Sequence, residues 1–156
     1  LEAIKELGHQ TILIYPNSDA GGRAMIEVIK KYERVPFIKT FPSLPHQTYL
    51  SLMRVASVMV GNSSSGIIEA PSLGLPAISI GIRQDSRERG KNVIDVGYNK
   101  REIIQAIRKA LTDRAFLAEV KKCESPYGDG KTGPRIAEIL SQIEITPRLL
   151  QKKIAY

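Results

Sequence analysis

Val58-Met59-Val60-Gly61-Asn62-Ser63-Ser64-Ser65-Gly66-Ile67-Ile68-Glu69-Ala70 decides the fold of this chain. Val58-Met59-Val60 reads as a short strand. Residues 61–66 read as a small, hydroxyl-rich loop, and Ile67-Ile68-Glu69-Ala70 as the helix that leaves it. Ala77-Ile78-Ser79-Ile80 is the strand that follows. A unit of this kind offers an anion free backbone N–H groups, serine hydroxyls and the positive end of a helix dipole. Phosphate suits such a loop, so the stretch points to a nucleotide or nucleotide-sugar binder.

Outward from this unit, extended and helical patterns alternate. Residues 11–15 are β-rich and 16–22 form a loop. Residues 23–32 carry apolar positions at 25, 26, 28 and 29 and predict a helix. Residues 35–40 are again extended, and 45–56 predict a helix with Pro45 near its start, where proline is tolerated. A fifth strand falls at 92–96. Ile103, Ile104, Ile107 and Leu111 make one face of a helix over 100–111. Asp113 is placed to cap a further helix to about Lys122. A glycine-rich loop at 127–133 and a last core helix at 134–143 complete a domain over 1–143, followed by a basic tail over 144–156.

Five short strands alternating with helices predict an α/β, Rossmann-like doubly wound fold, its parallel sheet covered on both faces. Ligands of such sheets lie beyond the C-terminal ends of the strands. The loops there are 16–22, 41–45, 61–66 and 81–91, and they hold every polar, glycine-rich stretch except 127–133. That coincidence predicts one shared site. At the other end of the pattern, Leu1, Ile4 and Leu7 share a helical face that Gly8 stops. A chain opening in the last turns of an amphipathic helix reads as a piece of a longer protein.

Composition narrows the class. The 156 residues suffice for one domain with a substantial core, and 42% hydrophobic with 25% charged residues is ordinary for a globular chain. There is no apolar run long enough for a transmembrane helix and no secretory leader pattern. Cys123 stands alone and fits a reducing, cytoplasmic compartment. His9 and His46 lie far apart without partners at ligand spacing, so no metal is expected. The net charge of +7 is compatible with nucleic acid, an anionic membrane or a phosphorylated small molecule. Its densest patch is Arg83, Arg87, Arg89 and Lys91, interrupted by Asp85 and Glu88. No Trp and 6% aromatics leave few platforms for single-stranded nucleic acid.

Each candidate residue has a plain structural reading beside the functional one. Ser63, Ser64 and Ser65 could cradle a phosphate, with Gly66 removing a Cβ, or could simply cap a helix and turn. The stretch lacks the Gly-Lys-Ser/Thr of a P-loop. Glu69 could accept hydrogen bonds from a ribose diol, or complement the helix dipole. Arg83 could neutralise a diphosphate, or be a surface arginine. Asn17, in one loop with Asp19, could hydrogen-bond a sugar hydroxyl, or the pair could make Asx turns. His46 reads as an N-terminal helix residue, and the Asp129-Gly130 pair as a turn. No acid–base pair suited to proton abstraction is apparent, so no residue of the chain is a catalytic candidate.

Together the motifs resemble the UDP-N-acetylglucosamine 2-epimerases, in particular the hydrolysing branch. The matching residues are Tyr15-Pro16-Asn17-Ser18-Asp19-Ala20-Gly21, Gly61-Asn62-Ser63-Ser64-Ser65-Gly66 with Glu69, Gly81-Ile82-Arg83-Gln84 with Arg87 and Gly90-Lys91-Asn92-Val93, and Tyr127-Gly128-Asp129-Gly130. The resemblance covers about residues 1–143 and implies the C-terminal half of a two-domain glycosyltransferase-B-type fold. It also implies that this half holds UDP. The uracil would be read by backbone near Pro45, in the loop matching 42–46. The diphosphate would lie on Ser63 and Ser64, the ribose on Glu69, the nucleotide beside Arg83 and the sugar near Asn17. The acid–base residues would lie on an N-terminal domain, with no metal or cofactor needed.

The Ser63-Ser64-Ser65-Gly66 sequence and Ile68 depart from the Ser-Gly-Gly loop and extra acid of the non-hydrolysing branch. The implied reaction eliminates UDP across C1–C2 of UDP-N-acetylglucosamine and adds water, giving N-acetylmannosamine and UDP. A related diacetamido sugar is not separated from it by these motifs. The expected partners are the UDP-sugar, an N-terminal domain and, in the full-length protein, further copies of itself, without nucleic acid or membrane. A glycosyltransferase C-terminal half and a basic nucleic-acid-binding module remain the alternatives.

Overall fold

The computed structural model describes residues 1–18 and 20–151, in two compact units, Leu1–Pro126 and Tyr127–Tyr156. The first unit runs α1 (Glu2–Leu7), β1 (Thr11–Ile14), α2 (Gly22–Lys30), β2 (Ile38–Phe41), α3 (His46–Val55) and β3 (Met59–Gly61). It continues through α4 (Ser65–Ile68), a 3-10 turn at Pro71–Leu73, β4 (Ala77–Ile80), β5 (Val93–Val96), α5 (Lys100–Thr112) and α6 (Arg114–Lys121).

Every strand pairing is parallel, as the alternation of elements predicts. β1 pairs with β2 from Thr11↔Ile38 to Ile14↔Phe41, and β4 lies between β3 and β5. Among the described residues the backbone bonds thus form two sheets, one of two strands and one of three. β3 is only three residues long, and its ladder runs to β4, with Met59 N–H donating to the Pro76 carbonyl at 2.9 Å.

β4 shows why the layers form. Ala77, Ile78 and Ser79 are all buried, the near-continuous burial of a parallel strand covered on both faces. Successive side chains point to opposite faces. Ala77 packs with Met53, Ala70 and Leu75, whereas Ile78 packs with Ala106, Ile107 and Ala110 of α5. Helices therefore cover both faces of this strand, which is the doubly wound arrangement.

Local signals set most element ends. Gly8 ends α1 in the left-handed conformation (φ 70°), its N–H donating to the Ile4 carbonyl at 3.1 Å. Asp113 caps α6 by accepting from Phe116 N–H at 3.0 Å, and Asn99 caps α5 by accepting from Arg101 N–H at 2.8 Å. The second extended run begins later than expected. Pro36 has no N–H to give a ladder, and residues around it form turns in which Ile38 N–H donates to the Val35 carbonyl at 3.0 Å.

The second unit holds α7 (Thr132–Gln142) and α8 (Pro147–Leu150). Asp129 organises the start of α7: its carboxylate accepts from Lys131 N–H at 3.0 Å and takes the Arg135 guanidinium at 3.0 and 2.8 Å. The expectation of a last core helix is not met. No residue of α7 is buried, and Ile136, Ile139 and Leu140 are exposed. Helical periodicity shows that an apolar face exists, not what covers it. Of the basic tail, residues 152–156 lie outside the described residues. Among the described residues, no helix is long and apolar enough to cross a membrane.

Candidate functional site: the serine loop and its neighbours

The serine loop leaves β3 at Gly61, whose φ of 151° lies where glycine is favoured. It re-enters regular structure at Ser65. Gly66 permits this close return, because a Cβ there would sit 3.1 Å from the Ala77 Cβ on β4. Asn92, wholly buried just before β5, donates its Nδ2–H to the Gly66 carbonyl at 3.0 Å and the Leu75 carbonyl at 3.1 Å. The loop is thereby fixed from beneath.

Two of its backbone donors are spent within the loop. Ser65 N–H reaches Ser63 Oγ at 3.3 Å, and Gly66 N–H the Ser63 carbonyl at 3.3 Å. The N–H groups of Ser63 and Ser64 have no acceptor among the described residues. Ser79 Oγ, buried beneath the loop, also lacks a partner there and lines a small cavity with Met59, Gly61, Ser63 and Gly66.

Two readings of this stretch are corrected. α4 is a single turn, so its macrodipole is small and individual N–H groups carry any anion binding. Glu69 stands at the C-cap of α4, not in the first turn of a longer helix. An acid at that end does not complement a dipole, which removes the bland account of Glu69. Its Oε2 is buried and has no partner among the described residues.

The loop after β4 reaches the serine loop directly. Gln84, 4% exposed, donates Nε2–H to the Asn62 carbonyl at 2.8 Å. Arg83 beside it is exposed. The basic patch read from the sequence is divided by internal bonds. Arg89 donates to the carbonyls of Arg87 at 2.6 Å and Gln84 at 2.9 Å, and pairs with Asp95 at 2.8 Å. Lys91 pairs with Glu119 at 3.0 Å, a contact that raises the lysine pKa and lowers that of the glutamate.

Asn17 and Pro45 follow the C-terminal ends of β1 and β2, which stay paired to the last residue, with Tyr15 N–H donating to the Phe41 carbonyl at 3.0 Å. Asn17 is exposed and lines an open depression of about 400 Å³ with Pro16, Ser18, Gly21, Gly22 and Arg23. Its carbonyl lies 2.9 Å from where a Gly22 Cβ would be, so the tight return of this loop requires glycine. Asp19 lies outside the described residues. Pro45 is the N-cap of α3, its carbonyl accepting from Tyr49 N–H at 2.9 Å, and His46 opens the helix as expected. The Asp129 motif belongs to the second unit.

Sequence reasoning missed the supporting roles of Gln84, Arg89, Asn92 and the buried Ser79. The signals were present as polar residues next to or within apolar strands, but Gln84 and Asn92 find their partners 17 to 26 residues away in sequence.

A parallel α/β unit with a donor-rich loop beyond a strand's C-terminal end belongs to the Rossmann-like class of folds. Comparison with known proteins sharpens this. The chain belongs to the UDP-N-acetylglucosamine 2-epimerase family, whose model matches residues 1–141. It is 39% identical over 147 residues to a hydrolysing UDP-N,N'-diacetylbacillosamine 2-epimerase of Legionella pneumophila, covering 94% of this chain and 38% of that protein. A UDP-N-acetylglucosamine 2-epimerase of Neisseria meningitidis is 37% identical over 153 residues, covering 97% of this chain and 40% of that one. The chain thus spans about two-fifths of the length of these curated relatives. In fold it matches the Methanocaldococcus jannaschii UDP-N-acetylglucosamine 2-epimerase solved with UDP-N-acetylglucosamine and UDP, with a TM-score of 0.69 and 24% identity, over 90% of this chain and 38% of that one. The expected half of a glycosyltransferase-B-type architecture is borne out.

Proposed function

We propose that residues 1–143 form the UDP-binding, C-terminal domain of a hydrolysing UDP-N-acetylglucosamine 2-epimerase. The observation that carries this is the pair of N–H groups at Ser63 and Ser64 that have no acceptor among the described residues, on a loop braced by Asn92 and Gln84. They and the serine hydroxyls bind the diphosphate. Glu69, with a buried oxygen that has no partner among the described residues, accepts the ribose hydroxyls. Arg83 neutralises charge beside the nucleotide, backbone near Pro45 reads the uracil, and Asn17 stands near the sugar. Family membership and the hydrolysing relative from Legionella support this reading.

In the reaction, a base removes the C2 proton of the sugar, the C1–O bond breaks, and its electron pair leaves with UDP. Water then adds to the unsaturated sugar. This chain's residues hold the leaving group and stabilise its charge. Proton transfer falls to a further domain of a homo-oligomeric, cytoplasmic enzyme.

The test is a titration of the chain with UDP, followed by amide chemical shifts. Half a cleft should bind with a millimolar Kd, about −4 kcal/mol, and shift residues 63–69. Ser63→Ala with Arg83→Ala should weaken binding further. An unperturbed 63–69 segment at saturating UDP would refute the assignment.

A further inference from the structure

Gln84 lies on the loop after β4, is 4% exposed, and gives its Nε2–H to the Asn62 carbonyl at 2.8 Å. The Asn62–Ser63 peptide is trans, since the described residues hold no cis bond. In a trans peptide the carbonyl and the following N–H point in opposite directions. Anchoring the Asn62 carbonyl on Gln84 therefore turns the Ser63 N–H away from Gln84. That N–H has no acceptor among the described residues. The reversed peptide would present the negative end of a carbonyl from the same place and repel an anion.

Gln84 is itself held. Its carbonyl accepts from Arg89 Nη2 at 2.9 Å, and the Arg89 Nε pairs with Asp95 at 2.8 Å. Between them Ser86 has a φ of 65°, a conformation that a residue with a side chain keeps only where its surroundings impose it. Gln84 also buries an Oε1 that has no partner among the described residues. A side chain serving only to fill space would do so better without amide groups.

We propose that Gln84 is the positioning residue of the anion loop: it locks the Asn62–Ser63 peptide so that the Ser63 N–H faces the phosphate. This rests on the reading of 61–66 as the diphosphate loop and adds what sets the loop's polarity. Gln84 acts on the ligand only through the peptide it orients.

The 156-residue chain, labelled with nitrogen-15, is titrated with UDP and with uridine. In the wild type, UDP should move the Ser63 amide among the largest shifts. Gln84→Met, similar in length but without a donor, should weaken UDP binding about tenfold and leave the uridine response unchanged. Gln84→Glu, which presents only acceptors when ionised, should weaken UDP further. UDP binding to Gln84→Met at the wild-type affinity overturns the inference alone. Absence of any UDP shift at 63–69 in the wild type overturns the diphosphate reading with it. Should the variants fail to fold, a wild-type Ser63 amide that stays still while those of Ser64 and Ser65 move overturns the inference without them.

Discussion

The side-chain amide of Asn92 donates to the Gly66 carbonyl at 3.0 Å, and the same nitrogen reaches the Leu75 carbonyl at 3.1 Å. One wholly buried residue thus joins the start of β5 to the turn that shapes the serine loop and to the segment entering β4. Removing it strands two acceptors. Asn92→Leu should cost about 2–6 kcal/mol, since each unsatisfied buried carbonyl costs about 1–3 kcal/mol. Urea denaturation measures this, and a loss well under that range would mean the two carbonyls find other partners.

Gly90 meets Asn92 from the other side. A Cβ at Gly90 would lie 2.7 Å from Cys123 Sγ and 2.8 Å from Asn92 Oδ1. Asn92 cannot move without releasing both carbonyls, so the strain falls on Cys123. Gly90→Ala should destabilise by about 1–3 kcal/mol. Adding Cys123→Ala should recover part of the loss. Thermal melts of the single and double variants decide it; no recovery would place the strain on Asn92.

Arg89 closes the loop between Gln84 and Asp95 from a partly exposed position. Exposed ion pairs contribute little, so Arg89→Ala should change global stability by less than about 1 kcal/mol. Local order should suffer more. The amides of Asp85 and Arg87, which donate within this loop to the carbonyls of Ile82 and Gln84, should exchange with solvent faster while those of β4 do not. Uniform exchange across both segments would contradict the clasp.

In the second unit, the Lys131 backbone N–H, and then the Arg135 guanidinium, hold the Asp129 carboxyl below its usual pKa. A depressed acid contributes stability above its unfolded-state value, which is lost as pH falls through the folded-state value. The start of α7 should therefore loosen as pH falls below about 3.9, the ordinary aspartate value. Amide shifts of residues 131–135 should report this, and Asp129→Asn should abolish the transition. A transition that persists in Asp129→Asn belongs to another acid.

Short-range rules made much of this legible. Gly8, Asp113 and the apolar face of α5 act within one or two turns of helix, where the interacting groups are neighbours in sequence. The strand–loop–strand frame of 58–80 was legible for the same reason. The length of α4 was not: the turn from Ser65 to Ile68 yields at once to the 3-10 turn at Pro71, because proline supplies no N–H to continue α-helical bonding. The exposure of α7 was equally hidden, since an apolar stripe looks the same whether covered or bare.

The sequence alone determined that this is a parallel α/β chain with a serine-rich loop after a strand, and its ordered motifs pointed to the family. Tertiary structure decided what makes that loop a site. Asn92 lies 26 residues from Gly66 and Gln84 lies 22 from Asn62, so no local pattern announces that they touch. Those two side chains brace the loop through its backbone carbonyls, which every residue carries alike. Only the folded arrangement selects which carbonyls are held and which N–H groups remain for a ligand.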